Sequence, residues 1–273
     1  VAGTTTALSG SGLACTANQI STLTACNQAT DPADSSYMIC NETQFNTING
    51  TCNAVGVKLK LGTNITMTGA NTMIANFAGT FDGQGFRLTN FLYNNAATSY
   101  VGMFAHTSGT NAATINNIVL WNANLTGADY VGGVVGLVGA VATTIDNILV
   151  KANIKGTTYI GGLVGKLQGS SLTNSVVLGS TISENSGSVG DYVGGAIGLI
   201  AAGAPSPIVN GVKVRSTTVD NPGDDRTGGF IGSLSNSGAV IKNSSTSATI
   251  LAGADQYVGG FVGIHEAGII GNA

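Results

Sequence analysis

The apolar positions of this chain recur in one figure. A tyrosine and a β-branched residue are followed by two glycines, two apolar residues and a third glycine. It stands as Tyr130-Val131-Gly132-Gly133-Val134-Val135-Gly136, and again from Tyr159, Tyr192 and Tyr257, with weaker copies from Tyr100 and Arg226. The copies begin at 100, 130, 159, 192, 226 and 257, so the steps are 30, 29, 33, 34 and 31 residues. A period of this size marks a solenoid, in which each repeat buries its apolar face only against its neighbours. Each repeat then carries an asparagine figure, as in Ile115-Asn116-Asn117-Ile118-Val119 and Ile145-Asp146-Asn147-Ile148-Leu149. The shared asparagine falls at 117, 147, 174, 210, 243 and 272. A third short segment follows, as in Ala123-Asn124-Leu125-Thr126. Three short strands with corners between them, in about 30 residues, predict an all-β, right-handed parallel β-helix.

Upstream the pattern differs. Residues 1–56 read as a leader and cap, and residues 57–273 as the β-helix with its six repeats. Asn41 to Ile48 has the polar start and apolar spacing of a short helix, with Asn41 as N-cap and Gln44 at the capping-box position. Val57-Lys58-Leu59-Lys60-Leu61 and Ile65-Thr66-Met67 alternate as strands do, and Asp82-Gly83 and Gln84-Gly85 read as corners. All four cysteines, Cys15, Cys26, Cys40 and Cys52, lie in this first fifth. An even, clustered set without a CxxC pair or a nearby histidine predicts two disulfides stapling the cap, and an oxidising compartment. Three connectivities are open, Cys15–Cys26 with Cys40–Cys52 being the simplest. No signal peptide opens at Val1, so a processed or trimmed chain is expected. Gly268 to Asn272 starts a strand without a cap, and a homo-oligomer partner or further domains of a parent chain are expected to cover that end.

The repeats resemble the GLUG motif, which occurs in bacterial surface and secreted proteins, among them adhesins and immunoglobulin-A-cleaving peptidases. Phe77 to Leu88 is similar to the Gly-Thr-Phe-Asp-Gly-x-Gly lead-in of such arrays, and Tyr37–Ile48 with Leu59–Met67 resemble their helix-and-strand entry. The resemblance covers residues 37–273 and implies architecture more than activity. Met103 for a glycine and Arg226-Thr227 for Tyr-Val are departures from the motif, and imply locally altered coils.

Composition narrows the function. Only 8% of residues are charged, against roughly 25% in ordinary globular chains, so the surface must be made of hydroxyls and amides. The ten basic residues are scattered and the net charge is −3, which gives no basic stripe for nucleic acid. The longest apolar run, Tyr130 to Ile145, is shorter than the ~20 residues of a membrane-spanning helix, so no membrane insertion is expected. Neither cofactor nor metal site is expected. His106 and His265 stand five coils apart, roughly 24 Å at the strand spacing. His265-Glu266-Ala267-Gly268-Ile269 begins like HExxH but has isoleucine where the second histidine belongs.

Asp129 and Asp191 occupy the same repeat position two coils apart, roughly 9–10 Å, near the upper edge of the separation used by inverting glycosidases. Thr158 lies between them. The tyrosines form a ladder interrupted at Arg226, and Trp121 has Lys151, Leu178, Val214 and Ser247 as its repeat equivalents. Ice binding would need Thr-x-Thr on consecutive coils, and Thr4-Thr5-Thr6 and Thr217-Thr218 do not match. Extra residues gather at Glu184–Asp191, Ala201–Pro207 and Asp220–Arg226, where insertions in a solenoid become protruding loops. These features predict a non-enzymatic adhesion or ligand-binding module of a secreted or surface-attached bacterial protein, recognising cell-surface glycan or protein. The binding candidates are Trp121, Glu184, Asp191, Asp224, Asp225 and Arg226. A glycan-active β-helix enzyme using paired carboxylates is the alternative, and a passive stalk the second.

Overall fold

The computed structural model describes residues 15–21, 25–26, 30–31, 33–50, 52–139, 141–185, 191–223, 226–253 and 257–271. They form a parallel β-solenoid of about six turns with almost no helix. Three sheets build it. The largest has sixteen strands and contains Thr114–Thr126 and Thr144–Gly156. In the following coils its path is divided into pieces such as Ser171–Thr173, Val176–Leu178 and Thr181–Glu184. The second sheet stacks six strands from Phe104–His106 through Val135–Val138 to Val262–His265. The third stacks five, from Val131–Gly132 to Tyr257–Gly259. The stack starts before residue 57, because Tyr37–Ile39 already pairs with Lys58–Leu61.

Alternation along each strand sends one set of side chains inward. Ile115, Ile145, Leu172, Val209 and Ile241 follow one another in register and are all 0% exposed. Near the cap the interior is aromatic. Phe45 meets Phe81 and Phe91 edge-on at 6.4 and 5.8 Å, and Phe104 packs on Phe77 and Phe81 at 4.9 and 5.5 Å.

Glycine is needed where the second and third sheets meet. A Cβ on Gly136 would lie 2.5 Å from the Tyr130 carbonyl oxygen, 2.6 Å from that of Ala105 and 2.7 Å from the Val101 nitrogen. These are backbone atoms and cannot swing aside, so two main chains touch with no side chain between them. Arg226-Thr227 does not alter its coil, since both residues pair in register with Tyr192 and Val193. The coil of the buried Met103 does differ, because its place in the third sheet is reduced to a single bridge between Val101 and Val131.

The corners of the large sheet use left-handed backbone. Asn117, Asn147, Asn174 and Asn243 have φ of 54, 55, 48 and 51°, and Gly211 has 70°. Asparagine is the side-chain-bearing residue that tolerates this region best, and its amide can bond locally. The coils are also tied through these amides. Asn117 Nδ2 donates to Asp82 Oδ1 (2.9 Å), Asn147 to Asn117 (2.8 Å), Asn174 to Asp146 (2.8 Å) and Asn243 to Asn210 (2.8 Å). One position differs from the sequence reading. The corner in the fourth of these coils is Gly211, while Asn210 pairs with Thr173 and Lys242 one place earlier. Glycine serves there because a left-handed corner asks for freedom at φ before it asks for an amide. Asn272 lies outside the described residues.

The helix at the cap spans Glu42–Asn46, with Asn41 as N-cap accepting from the Gln44 amide (2.8 Å). Gln44 Oε1 accepts from Cys40 N–H at 2.6 Å, one residue further back than a capping box requires. The disulfides are Cys15–Cys40 and Cys26–Cys52, not the sequential pairs. The leader lies over the first coil: Cys15 N–H donates to Gly62 O and Ala25 N–H to Thr47 Oγ1. Each leader cysteine therefore faces the coil and not its neighbour in sequence.

Glu42 ties the helix to the corner after the strand Ile65–Thr66. It accepts from Thr68 Oγ1 (2.7 Å) and N–H, from Gly69 N–H and from Asn71 Nδ2 (2.9 Å). Burial alone would raise its pKa, but these donors outweigh it and hold the carboxyl below its ordinary 4.5. A depressed carboxyl contributes stability that is complete above 4.5 and is lost as the pH falls through the folded value. Glu42→Gln is therefore expected to lower the urea midpoint at pH 7 and to leave it close to the parent's in strong acid. For the glycine contact, Gly136→Ala is expected to cost about 1–3 kcal/mol of unfolding free energy, the scale of overpacking. Gly109→Ala, whose Cβ would meet nothing within 4 Å, is expected to be neutral in the same titration.

Candidate functional site

Two outward faces gather the side chains with binding chemistry. The first runs along the start of the third sheet. Tyr100, Tyr130, Tyr159 and Tyr192 stack with ring centroids 4.9, 4.7 and 5.0 Å apart and planes within 9, 17 and 21°. This is the rung spacing of the sheet itself, so parallel register dictates the stack. The ladder is not interrupted at Arg226. Its guanidinium lies 4.7 Å from the Tyr192 ring centre and 5.9 Å from that of Tyr257, replacing a ring by a flat cation. Lys166 Nζ sits 5.6 Å from both the Tyr130 and Tyr159 rings, and desolvation pushes its pKa down. His106 closes the near end, edge-on to Tyr100 at 5.6 Å. Arg226 is thus a rung. Its removal to alanine is expected to cost about 1 kcal/mol in chemical unfolding, whereas Arg226→Tyr, which restores a ring, is expected to retain the parent's stability.

The carboxylates beside this ladder hold coils together. Asp129 Oδ1 accepts from Thr158 Oγ1 at 2.5 Å and Oδ2 from Ser99 Oγ at 3.2 Å. Thr158 thereby fills the gap between Asp129 and Asp191 in which an inverting hydrolase would hold its water. Asp191 is 1% exposed and Glu184 4%, so neither stands on a protruding loop. Asp224 and Asp225 lie outside the described residues. The Ala201–Pro207 insertion is tied down by the Gln168 amide on Ala202 O and the Asn236 amide on Ala201 O. Among the described residues no three His, Cys, Asp or Glu side chains gather as metal ligands, and no helix is long and apolar enough to cross a membrane.

The second face is the outward side of the large sheet, between the asparagine corners and a second row of left-handed residues at Asn90, Asn122, Gly179 and Ser216. Trp121 points out from it beside the buried Leu120. Arg87, from the coil before, lies 4.9 Å from its ring centre, and Lys151, from the coil after, lies 5.0 Å away. In register Trp121 is followed by Lys151, Leu178, Arg215 and Ser247. Arg215 and not Val214 is the equivalent, because Val214 points inward and is 1% exposed. The neighbouring outward column reads Arg87, Val119, Leu149, Val176 and Lys213. Four of the ten basic residues thus share one face, although nothing in their sequence spacing joins them. Sequence reading missed Arg87, Lys213 and Arg215; placing Gly211 at the corner would have found Arg215. Further along each coil, Thr218 lines up with Thr181 and Thr249, but the column two residues on reads Lys155, Ser183, Asp220 and Leu251. A two-threonine ice-binding array is therefore not formed. Thr4-Thr5-Thr6 lies outside the described residues.

Comparison with known proteins bears on this architecture. The GLUG-motif family profile matches residues 156–183, slightly less than one repeat. No curated protein sequence matches the chain. Among solved structures, the chain is similar to a Bacteroides ovatus protein provisionally named an immunoglobulin A1 protease. The TM-score is 0.70 and the identity 19%, with 90% of this chain and 79% of the other covered. At that identity the likeness concerns the fold. The chain thus carries the GLUG motif at residues 156–183, and the same figure recurs in register along a parallel β-solenoid.

Proposed function

We propose that this solenoid is a non-enzymatic adhesion or ligand-binding module of a secreted or surface-attached bacterial protein, and that it recognises cell-surface glycan or protein. One observation carries the reading. Among the described residues, Asp82, Asp129 and Asp146 are spent on bonds between coils and Glu184 and Asp191 are buried, while the tyrosine ladder with Arg226 stands outward as a continuous row. A surface repeated at ~4.8 Å suits an extended ligand better than a single small substrate. The two disulfides and the GLUG repeats support an extracellular location. The Bacteroides ovatus neighbour carries a protease name, and the absence of a completed HExxH sequence after His265 weighs against carrying that activity over.

The test is to present the purified chain to a glycan array and to cultured cells, and to assay the bound glycans and proteins for cleavage. Retention without turnover is the expected result. Release of shortened product, lost on Asp129→Asn, would establish the glycan-active enzyme instead.

A further inference from the structure

The Trp121 face carries the proposal further. Arg87, Lys151, Lys213 and Arg215 share it with Trp121 and with the half-buried Leu149, Val176 and Leu178. No carboxylate among the described residues is ion-paired to any of the four cations, in a chain whose net charge is −3. The acids nearest in sequence, each five residues from one of these cations, are Asp82, Asp146 and Asp220; the first two stand across the asparagine corner and Asp220 across the left-handed corner at Ser216. Asp82 is occupied by Asn117 and the Gln84 N–H, and Asp146 by Thr173 and Asn174. The cations are therefore left for something outside the chain.

We propose that this face binds a linear acidic polysaccharide laid along the solenoid axis. The proposal rests on the binding-module reading and names its ligand class. Three features select the ligand. Arg87 and Lys151 lie two rungs apart, and Lys151 and Arg215 two more, so cations recur at about 10 Å along the axis. That matches a polymer with an acid on alternate sugars. B-DNA instead presents a charge every ~1.7 Å. The strip is two outward residues wide, about 7 Å, enough for one sugar chain and too narrow for a duplex. Between the cations, Leu149, Val176 and Leu178 offer apolar surface to the C–H faces of sugar rings. Trp121 serves as a splint: with Arg87 and Lys151 laid against its ring, two cations are already ordered and lose less entropy on binding.

The experiment measures binding of the full chain at low ionic strength to hyaluronan, which has one carboxylate on every second sugar. Dextran, a DNA duplex and phosphatidylserine vesicles are the comparisons. Hyaluronan is expected to bind, dextran not, and added salt to weaken the complex as charges a Debye length apart are screened. Arg87→Gln/Lys151→Gln/Arg215→Gln is expected to weaken binding about tenfold or more, with Lys58→Gln/Lys242→Gln unchanged. Because Arg87 and Lys151 also touch Trp121, Lys213→Gln/Arg215→Gln is measured as well, and it should weaken binding with an unaltered urea midpoint. Equal hyaluronan binding by these variants, or no hyaluronan binding by a chain that still binds other glycans or cells, overturns the proposal and leaves the module reading standing. Preference for the duplex or the vesicles overturns it in favour of those ligands. A chain that holds no glycan and no cell fails both readings.

Discussion

Parallel pairing at one rung per coil is the constraint on which everything else in this molecule depends. Once two coils are hydrogen-bonded in register, each side chain lies about 4.8 Å from its equivalents above and below. An apolar column then becomes a core, and an aromatic column becomes a stack whose ring spacing is set by the backbone. The Tyr100–Tyr192 ladder, at 4.7 to 5.0 Å, is a direct readout of that rung. The glycines of the repeat serve the same end. At Gly136 the second sheet rests on the main chain of the third, and any side chain there would force the layers apart.

Polar groups obey the same geometry. An asparagine amide at a left-handed corner finds the corresponding residue of the preceding coil, and a threonine hydroxyl finds Asp129. In so charge-poor a chain Asp82, Asp129 and Asp146 are absorbed this way, because a carboxylate stacked on hydroxyls and amides meets donors without leaving the surface. Cations have no such use in the ladder. They settle over ring faces, as Arg226 does between Tyr192 and Tyr257 and Arg87 and Lys151 do around Trp121. The outward chemistry is thus biased toward rings and positive charge despite the net charge of −3.

The architecture was legible because a solenoid writes its period into the chain, and the cap helix because Asn41 and Gln44 carry its start signal. The less legible part was lost through one slip. Aligning Asn210, in place of Gly211, with Asn174 moved the coil by one residue. That same step put Val214 in place of Arg215 opposite Trp121. Since strand side chains alternate, a one-residue error exchanges inside for outside, and it concealed a basic face. The scatter of Arg87, Lys151, Lys213 and Arg215 along the sequence was real, and the coiling removed it.

The sequence by itself determined the class of fold, the coil length, the core positions and the residues able to turn corners, because these follow from local periodicity and backbone preference. Tertiary structure alone decided the disulfide partners, since the leader lies over the first coil and turns Cys15 and Cys26 toward Cys40 and Cys52. It also decided that Arg226 continues the tyrosine ladder and that four distant cations share a face with Trp121. The physical reason is the same in each case. Neighbours across coils are set by register and by the number of residues in the intervening loops, and neither is encoded in the residues that finally meet.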